Sequence, residues 1–496
     1  MKKSIKKIMI LCMSLVLTLV SLNYNYQVTY ANTVPAKQPE LPSLWALEDI
    51  QMLNIYDIIN PEMFYGYKSE VTKEQLYIVG IKLYEKITNE KVTEEDILTD
   101  SFALQKAAYK LFNAFLLDNE FDLTVTRKDV IDVLYRVIRL SQPTFKYDID
   151  YTLAYDDISS ISKAKLKSVN YLVSNQLING SNNQLGLTKT CTKEQLFALT
   201  SRVYYYVVQK SDKAAKGAFW KVTNGKNTIY LLGSIHIANS SLYPMNDDIL
   251  NAFNKSDALC VEVNTLGDQT GLAYMQQKMY YTDGTTIDKV ISKETYEAYE
   301  KKMKSLEILP KEQYDLLKPW CAAFTIQNYE ASKQTIVAGL GVDMFFMSKS
   351  IYRKPIVEIE GYKFQTDLLD SFSTEIQEDL LKGVLTQPVA NKDTEETNAE
   401  VISDNIKIIE LMLDYWKAGD VDSLEKLVAF DESAANEFTK KFWIERNNHM
   451  YESVLNYLND ESGNTYFVVV GAGHMVGNTG IVKQLIDKGY TVDQVK

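Results

Sequence analysis

Two kinds of apolar patterning divide this chain. Between about residues 40 and 208 apolar positions recur at helical spacing, and one short phrase opens a helix three times. It reads Val71-Thr72-Lys73-Glu74-Gln75-Leu76, then Val125-Thr126-Arg127-Lys128-Asp129-Val130, then Cys191-Thr192-Lys193-Glu194-Gln195-Leu196. Each Thr is placed as a helix N-cap, its side-chain oxygen free to accept a bond from an otherwise unpaired backbone N–H. The phrases lie 54 and 66 residues apart, which predicts an all-α N-terminal domain of three repeats with inserts of variable length. Beyond residue 218 the apolar positions run together instead. Phe219-Trp220-Lys221-Val222 and Thr228 to Leu232, joined through Asn224-Gly225-Lys226-Asn227, predict a β-hairpin. A helix over Asn246 to Lys255 and a strand over Ala258 to Val263 follow as a crossover unit. Lys354 to Glu360 and Tyr466 to Val470 predict further strands. Continuous rather than alternating apolar character marks strands covered on both faces, as in parallel α/β sheets, where ligands gather at the carboxyl ends of strands. The polar stretch 209–217 reads as a linker, so the second domain spans 218–496, and Thr386 to Asn398 reads as a solvated loop.

The first 31 residues follow neither pattern. Lys2, Lys3, Lys6 and Lys7 precede an apolar run from Ile8 to Val20, and Thr29-Tyr30-Ala31 offers small residues for cleavage. That is the design of an export signal, too short for a comfortable membrane span. No later stretch approaches the length of a membrane helix.

Composition narrows the partners. A length of 496 residues suits two or more domains, and a formal net charge of −12 argues against nucleic acid as a general partner. Outside the signal the cysteines are Cys191, Cys260 and Cys321, an odd and widely spaced set without Cys-x-x-Cys, so a disulfide scaffold is not expected. Cys260 reads as a small core residue of its strand rather than a nucleophile. No Gly-x-Gly-x-x-Gly and no phosphate-loop lysine is present.

The candidate chemistry sits at the strand ends. Two of the chain's three histidines close a buried-type strand in the same way: Gly233-Ser234-Ile235-His236 and Gly471-Ala472-Gly473-His474. Glu262 is a carboxylate inside an apolar run near a third strand end, a position that calls either for a metal or catalytic role or for a buried Arg or Lys partner. Glu360 ends another strand in acid. Arg446, within Glu445-Arg446-Asn447, would stabilise an anionic intermediate or hold a site carboxylate. His449 lacks the strand-and-glycine setting and reads as surface or packing.

Two resemblances follow. Asp157-Ile158-Ser159-Ser160, a helix through Ala164 to Leu177, the turn Ile178-Asn179-Gly180 and Leu185-Gly186-Leu187 resemble the S-layer homology module. That module occurs in threes and fastens exported bacterial proteins to cell-wall polysaccharide. Residues from about 218 to 496 resemble the TraB/GumN family, which includes the Tiki metalloproteases. The matching pieces are both Gly-x-x-His motifs, Glu262, Lys318-Pro319-Trp320, Gly341-Val342-Asp343, Glu360 with Gln365, Glu445-Arg446-Asn447, and Gly477. This second resemblance implies a mixed, largely parallel sheet flanked by helices. It also implies a site in which His236, His474 and Glu262 bind a divalent ion (Mn, Co or Zn), with Glu360 and Arg446 beside it and Glu262 or Glu360 as base. The expectation is therefore an exported, wall-associated, metal-dependent hydrolase of peptides or proteins. The alternatives are a wall-bound protein that sequesters a secreted peptide, and a structural S-layer component.

Overall fold

Each of the three threonines singled out above opens a helix. The computed structural model describes residues 40–149, 153–333, 336–385, 399–428 and 435–495. The predicted export signal and the predicted loop at Thr386 to Asn398 lie outside them. Two compact units divide between Ala214 and Ala215. Of the polar stretch 209–217, Gln209 and Lys210 end a helix, while Ala215, Lys216 and Gly217 donate backbone bonds to Pro244, Lys417 and Trp416 of the C-terminal unit.

The N-terminal unit is all-helical, with two principal helices per repeat: α1 (Leu44–Ile55) and α2 (Lys73–Thr88), α3 (Ser101–Phe112) and α4 (Arg127–Ser141), α5 (Lys163–Ser174) and α6 (Lys193–Lys210). Thr72, Thr126 and Thr192 are the N-caps of α2, α4 and α6. Only Thr72 makes the full reciprocal box with Gln75. At Thr126 and Thr192 the return half is made, from Asp129 and Gln195 to the threonine N–H.

The first N–H groups of a helix have no partner within it, and here another repeat supplies one. Lys73 and Glu74 donate to the carbonyls of Leu123 and Phe121, Arg127 and Lys128 to Lys189 and Leu187, and Lys193 and Glu194 to Ser69 and Tyr67. Two residues before each helix a ring closes: the N–H of Val71 donates to Cys191, that of Cys191 to Val125, and that of Val125 to Val71. Each repeat thus satisfies the backbone of the next in cyclic order, so none is complete alone.

The C-terminal unit is built on a mixed six-stranded sheet in the order β4-β3-β5-β2-β1-β6. Its strands are β1 (Ala218–Asn224), β2 (Asn227–Ser234), β3 (Ala258–Val261), β4 (Ile356–Glu358), β5 (Thr465–Gly471) and β6 (Val492–Gln494). The hairpin is present: Asn224 faces Asn227 across Gly225 and Lys226, and Gly225 takes a φ of 57° that suits the tight turn. The crossover helix α7 (Asp247–Lys255) joins β2 to β3, yet these strands are not neighbours. The C-terminal β5 lies between them, parallel to both.

The helices that reach the sheet's carboxyl ends are α8 (Val342–Ser350), α9 (Gly361–Asp370), α10 (Ala399–Ala418), α11 (Arg446–Asn459) and α12 (Ala472–Met475). Beside them Lys293–Leu306, Pro319–Ser332 and Thr374–Leu385 share a core of Tyr299, Trp320, Phe324, Leu380 and Leu381 that extends to Phe442 and Trp443. Among the described residues no helix is long and apolar enough to cross a membrane.

One carboxylate bolts this layer. Glu378 accepts from the Ser292 and Thr295 hydroxyls at 2.5 and 2.6 Å and pairs with Lys382 at 2.9 Å. Burial alone would raise its pKa, but these donors hold it at about 2. A depressed carboxylate stabilises the fold above its ordinary pKa of 4.5 and loses that contribution as pH falls toward 2. Glu378→Gln should therefore be less stable than the parent at pH 7, with the difference shrinking below pH 4.5. Denaturant titrations at pH 7 and pH 3 check it.

Candidate functional site

The register of β2 against β5 builds the site. Gly233 lies opposite Val470 and Ser234 opposite Gly471, so both Gly-x-x-His segments leave neighbouring strands at the same level. The approach is close: a Cβ on Gly233 would stand 2.9 Å from the Cα of Ala472. Trp416 of α10 clamps this corner, its indole N–H donating to the Gly233 carbonyl at 2.6 Å. His236 and His474 are 4% and 0% exposed.

Glu262 follows β3 on the far side of β5. Its Oε1 accepts the Gly471 N–H at 2.6 Å and lies 3.7 Å from His236 Nε2. Its Oε2 accepts from Arg446 Nη2 at 2.7 Å and from Gln365 at 3.0 Å. Glu360 is brought alongside because the N–H groups of Glu360 and Gly361 both donate to the Glu262 carbonyl. The Arg446 guanidinium forks onto Glu360, with Nε to Oε1 at 2.9 Å and Nη2 to Oε2 at 2.8 Å. The buried cation that the Glu262 environment called for is therefore Arg446, and the guanidinium is committed to two carboxylates.

Each imidazole has a different neighbour behind it. His474 Nδ1 is 2.6 Å from Asn447 Oδ1. His236 Nδ1 is 3.1 Å from Asp343 Oδ1, an ion-pair distance without hydrogen-bond alignment, while the Ser234 hydroxyl donates to the same oxygen at 2.9 Å. His236 Nδ1, His236 Nε2 and His474 Nε2 are all buried without a hydrogen-bond partner. Burial would lower the pKa of His236, but the carboxylates of Asp343 and Glu262 raise it to about 10. Burial and then the Arg446 charge push His474 down to about 3. Burial would raise Glu262, yet Arg446, and after it the imidazoles, hold it well below the usual carboxylate range.

Asp343 reaches His236 because the α8 N-terminus docks on the strand end. Val342 N–H donates to Ile235, and a methyl at Gly341 would run into the His236 carbonyl. Gly341→Ala should therefore displace Asp343 from His236 and cost about 1–3 kcal/mol, the usual range for overpacking a filled site. Thermal melts of the variant beside Gly339→Ala, where a Cβ meets open space, check it.

Charge and donor type both suit a divalent cation. Three carboxylates (Asp343, Glu262 and Glu360) stand against one guanidinium and the imidazolium of His236, so the cluster carries a net charge of −1 at neutral pH, and −2 once an incoming cation displaces the His236 proton. The two free Nε2 atoms are the donors that such ions take from histidine. Among the described residues, no three His, Cys, Asp or Glu side chains already stand as an assembled ligand group. Glu262 is engaged by Arg446, Gln365 and Gly471, which leaves the imidazoles as the unspent donors.

His449 lies apart from this cluster. It is exposed, stacked on Phe364 with ring centroids 5.0 Å apart, and bonded to the Ile359 carbonyl. Ser234, Trp416 and Thr479 carried no sequence signal. Asp343 did carry one: it interrupts the apolar run Val342-Asp343-Met344-Phe345-Phe346 as Glu262 interrupts its own. In the N-terminal unit a cavity of about 280 Å³ is lined by Arg127, Asn179, Ser181, Gln184, Lys189 and Gln195.

A model of the TraB/PrgY/gumN family matches residues 218–494. The match runs from the first residue of β1 to the last of β6 and takes in every residue of the buried centre. No curated protein matches the chain.

Proposed function

Because the chain belongs to the TraB/PrgY/gumN family, we propose that its C-terminal unit is a metal-dependent hydrolase that cuts peptide bonds. The observation that carries this reading is the pair of buried, unbonded imidazole Nε2 atoms at the ends of neighbouring parallel strands. His236 and His474 would hold a divalent ion (Mn, Co or Zn), with Glu262 as third ligand on giving up one of its present hydrogen bonds; the ion when bound lowers the pKa of a water and polarises a carbonyl oxygen.

The chain's own residues do the rest. Arg446 keeps Glu262 ionised and aims both Glu262 and Glu360, so its part is to hold carboxylates rather than to meet an anionic intermediate. With Glu262 as a ligand, Glu360, gripped by Nε and Nη2 of the guanidinium, is the carboxylate that would take the proton of the attacking water.

The N-terminal unit serves in this reading as an anchor on an anionic cell-wall polysaccharide, and residues 1–31 as the export signal, which places the protein on a bacterial surface. The resemblance of its repeats to S-layer homology modules supports the anchor, as does the polar cavity where Arg127 and Lys189 offer cations to an acidic sugar.

Capture of a secreted peptide without cleavage is the second reading. It draws on the closure of the centre, since the Nε2 atoms of both imidazoles are buried in this conformation. The test uses the full chain, stripped with a chelator, reloaded separately with Mn, Co and Zn, and offered a peptide library read by mass spectrometry. Cleavage restored by one ion at near one ion per chain is expected. Peptide binding without cleavage under any ion points to capture, and neither binding nor cleavage overturns both readings.

A further inference from the structure

The geometry points to Asn447, braced by Thr479, as the positioning residue that fixes His474 in the tautomer with its proton on Nδ1. Nε2 is then left as a buried lone pair. This rests on the hydrolase reading for its use, though not for its test.

Asn447 is 1% exposed and lies one residue into α11, directly after a π-helical turn over Thr439–Glu445. Successive helical residues point about 100° apart, and here the two directions serve two clusters. Arg446 turns to Glu262 and Glu360, while Asn447 turns to His474 and Thr479. An amide has one accepting oxygen and one donating nitrogen. Asn447 Nδ2 donates to Thr479 Oγ1 at 3.1 Å, so the atom left for His474 Nδ1, 2.6 Å away, is the oxygen. An oxygen only accepts, and Nδ1 must therefore carry the hydrogen.

The reversed amide would put the hydrogen on Nε2, making it a buried donor with no acceptor. A buried lone pair is the cheaper state, since orphaned N–H groups are rarer in folded interiors than under-satisfied acceptors. A group that holds the far nitrogen of a histidine in this way sets both the tautomer and the ring orientation. His236 lacks such an aligned partner, so the two Gly-x-x-His motifs are not interchangeable.

The test is a long-range proton–nitrogen NMR spectrum of the full chain carrying nitrogen-15 histidine. With three histidines in the sequence, single substitutions at His236 and His449 suffice to assign the signals of His474. The Nδ1–H pattern is expected in the parent chain. It should persist in Asn447→Asp, whose carboxylate still only accepts, and give way to the Nε2–H form or a mixture in Asn447→Leu and Thr479→Val. Should Asn447→Leu fail to fold, as judged by circular dichroism, Thr479→Val carries the comparison. An Nε2–H pattern in the parent chain, or an unmixed Nδ1–H pattern in the folded Leu or Val variant, overturns the inference. The spectrum needs neither metal nor substrate. A protein that showed the expected tautomer yet bound no ion and cut no peptide would defeat the proposed function and leave this assignment standing.

Discussion

Arg446→Met should destabilise the C-terminal unit by about 3–5 kcal/mol, the usual cost of removing one partner from a buried ion pair. The side chain is 2% exposed, and its guanidinium is the cation that hydrogen-bonds both Glu262 and Glu360. Without it two carboxylates share a buried space with no guanidinium. At least one must take up a proton or draw in water, and the loss should be partly relieved at lower pH. Lysine is no remedy, because a point charge cannot repeat the two-armed grip on Glu360. Removing the stranded charges as well, in Arg446→Met with Glu262→Gln and Glu360→Gln, should recover part of the loss. Four of the five tryptophans (Trp220, Trp320, Trp416 and Trp443) lie in this unit, so their fluorescence during denaturant unfolding of the full chain is the readout. A single substitution that cost less than about 1 kcal/mol, as exposed ion pairs do, would show that the guanidinium is not what holds the two acids in place.

Alanine at either His236 or His474 should lower peptide hydrolysis by at least about 10³-fold, because groups that act as one unit are lost together. The same logic makes the double variant scarcely worse than either single one. The two replacements should differ in stability, however. His236 is flanked by Asp343 and Glu262, so its loss leaves Asp343 without a neighbouring imidazole and Glu262 with only His474 and Arg446. His474 has one short bond, to Asn447, and aromatic neighbours in Trp443 and Phe442. Its removal leaves mainly a cavity. His449→Ala is the control, since that ring is exposed and bonds to a backbone carbonyl outside the cluster; it should keep full activity. Initial rates on one cleaved peptide, with melts of each variant, decide the matter. Activity that survived both alanines would remove the two motifs from the chemistry.

Much of this molecule is written locally. The hairpin follows from Asn224-Gly225 between apolar runs, and the three helix starts from the Thr phrases. The buried strand ends follow from runs that stop at Gly233 and Gly471, because turn chemistry, capping and burial of a continuous apolar run depend on a few neighbouring residues. The demand for a partner at Glu262 was local too, since a charge inside such a run cannot stay alone.

What that partner is, and which strands meet, depended on residues far apart in the chain. No local pattern says that β5 enters between β2 and β3, some 230 residues after β2, and that entry is what brings His236 and His474 to one level. The same holds for Asp343 behind one imidazole, Asn447 with Thr479 behind the other, Trp416 on the Gly233 carbonyl, and the ring of backbone bonds among Val71, Cys191 and Val125. Local pattern marks the residues that cannot stay unpartnered. Packing settles with whom they pair, because a hydrogen bond or ion pair is set by distance in space, and chain separation says nothing of that distance once the elements have packed.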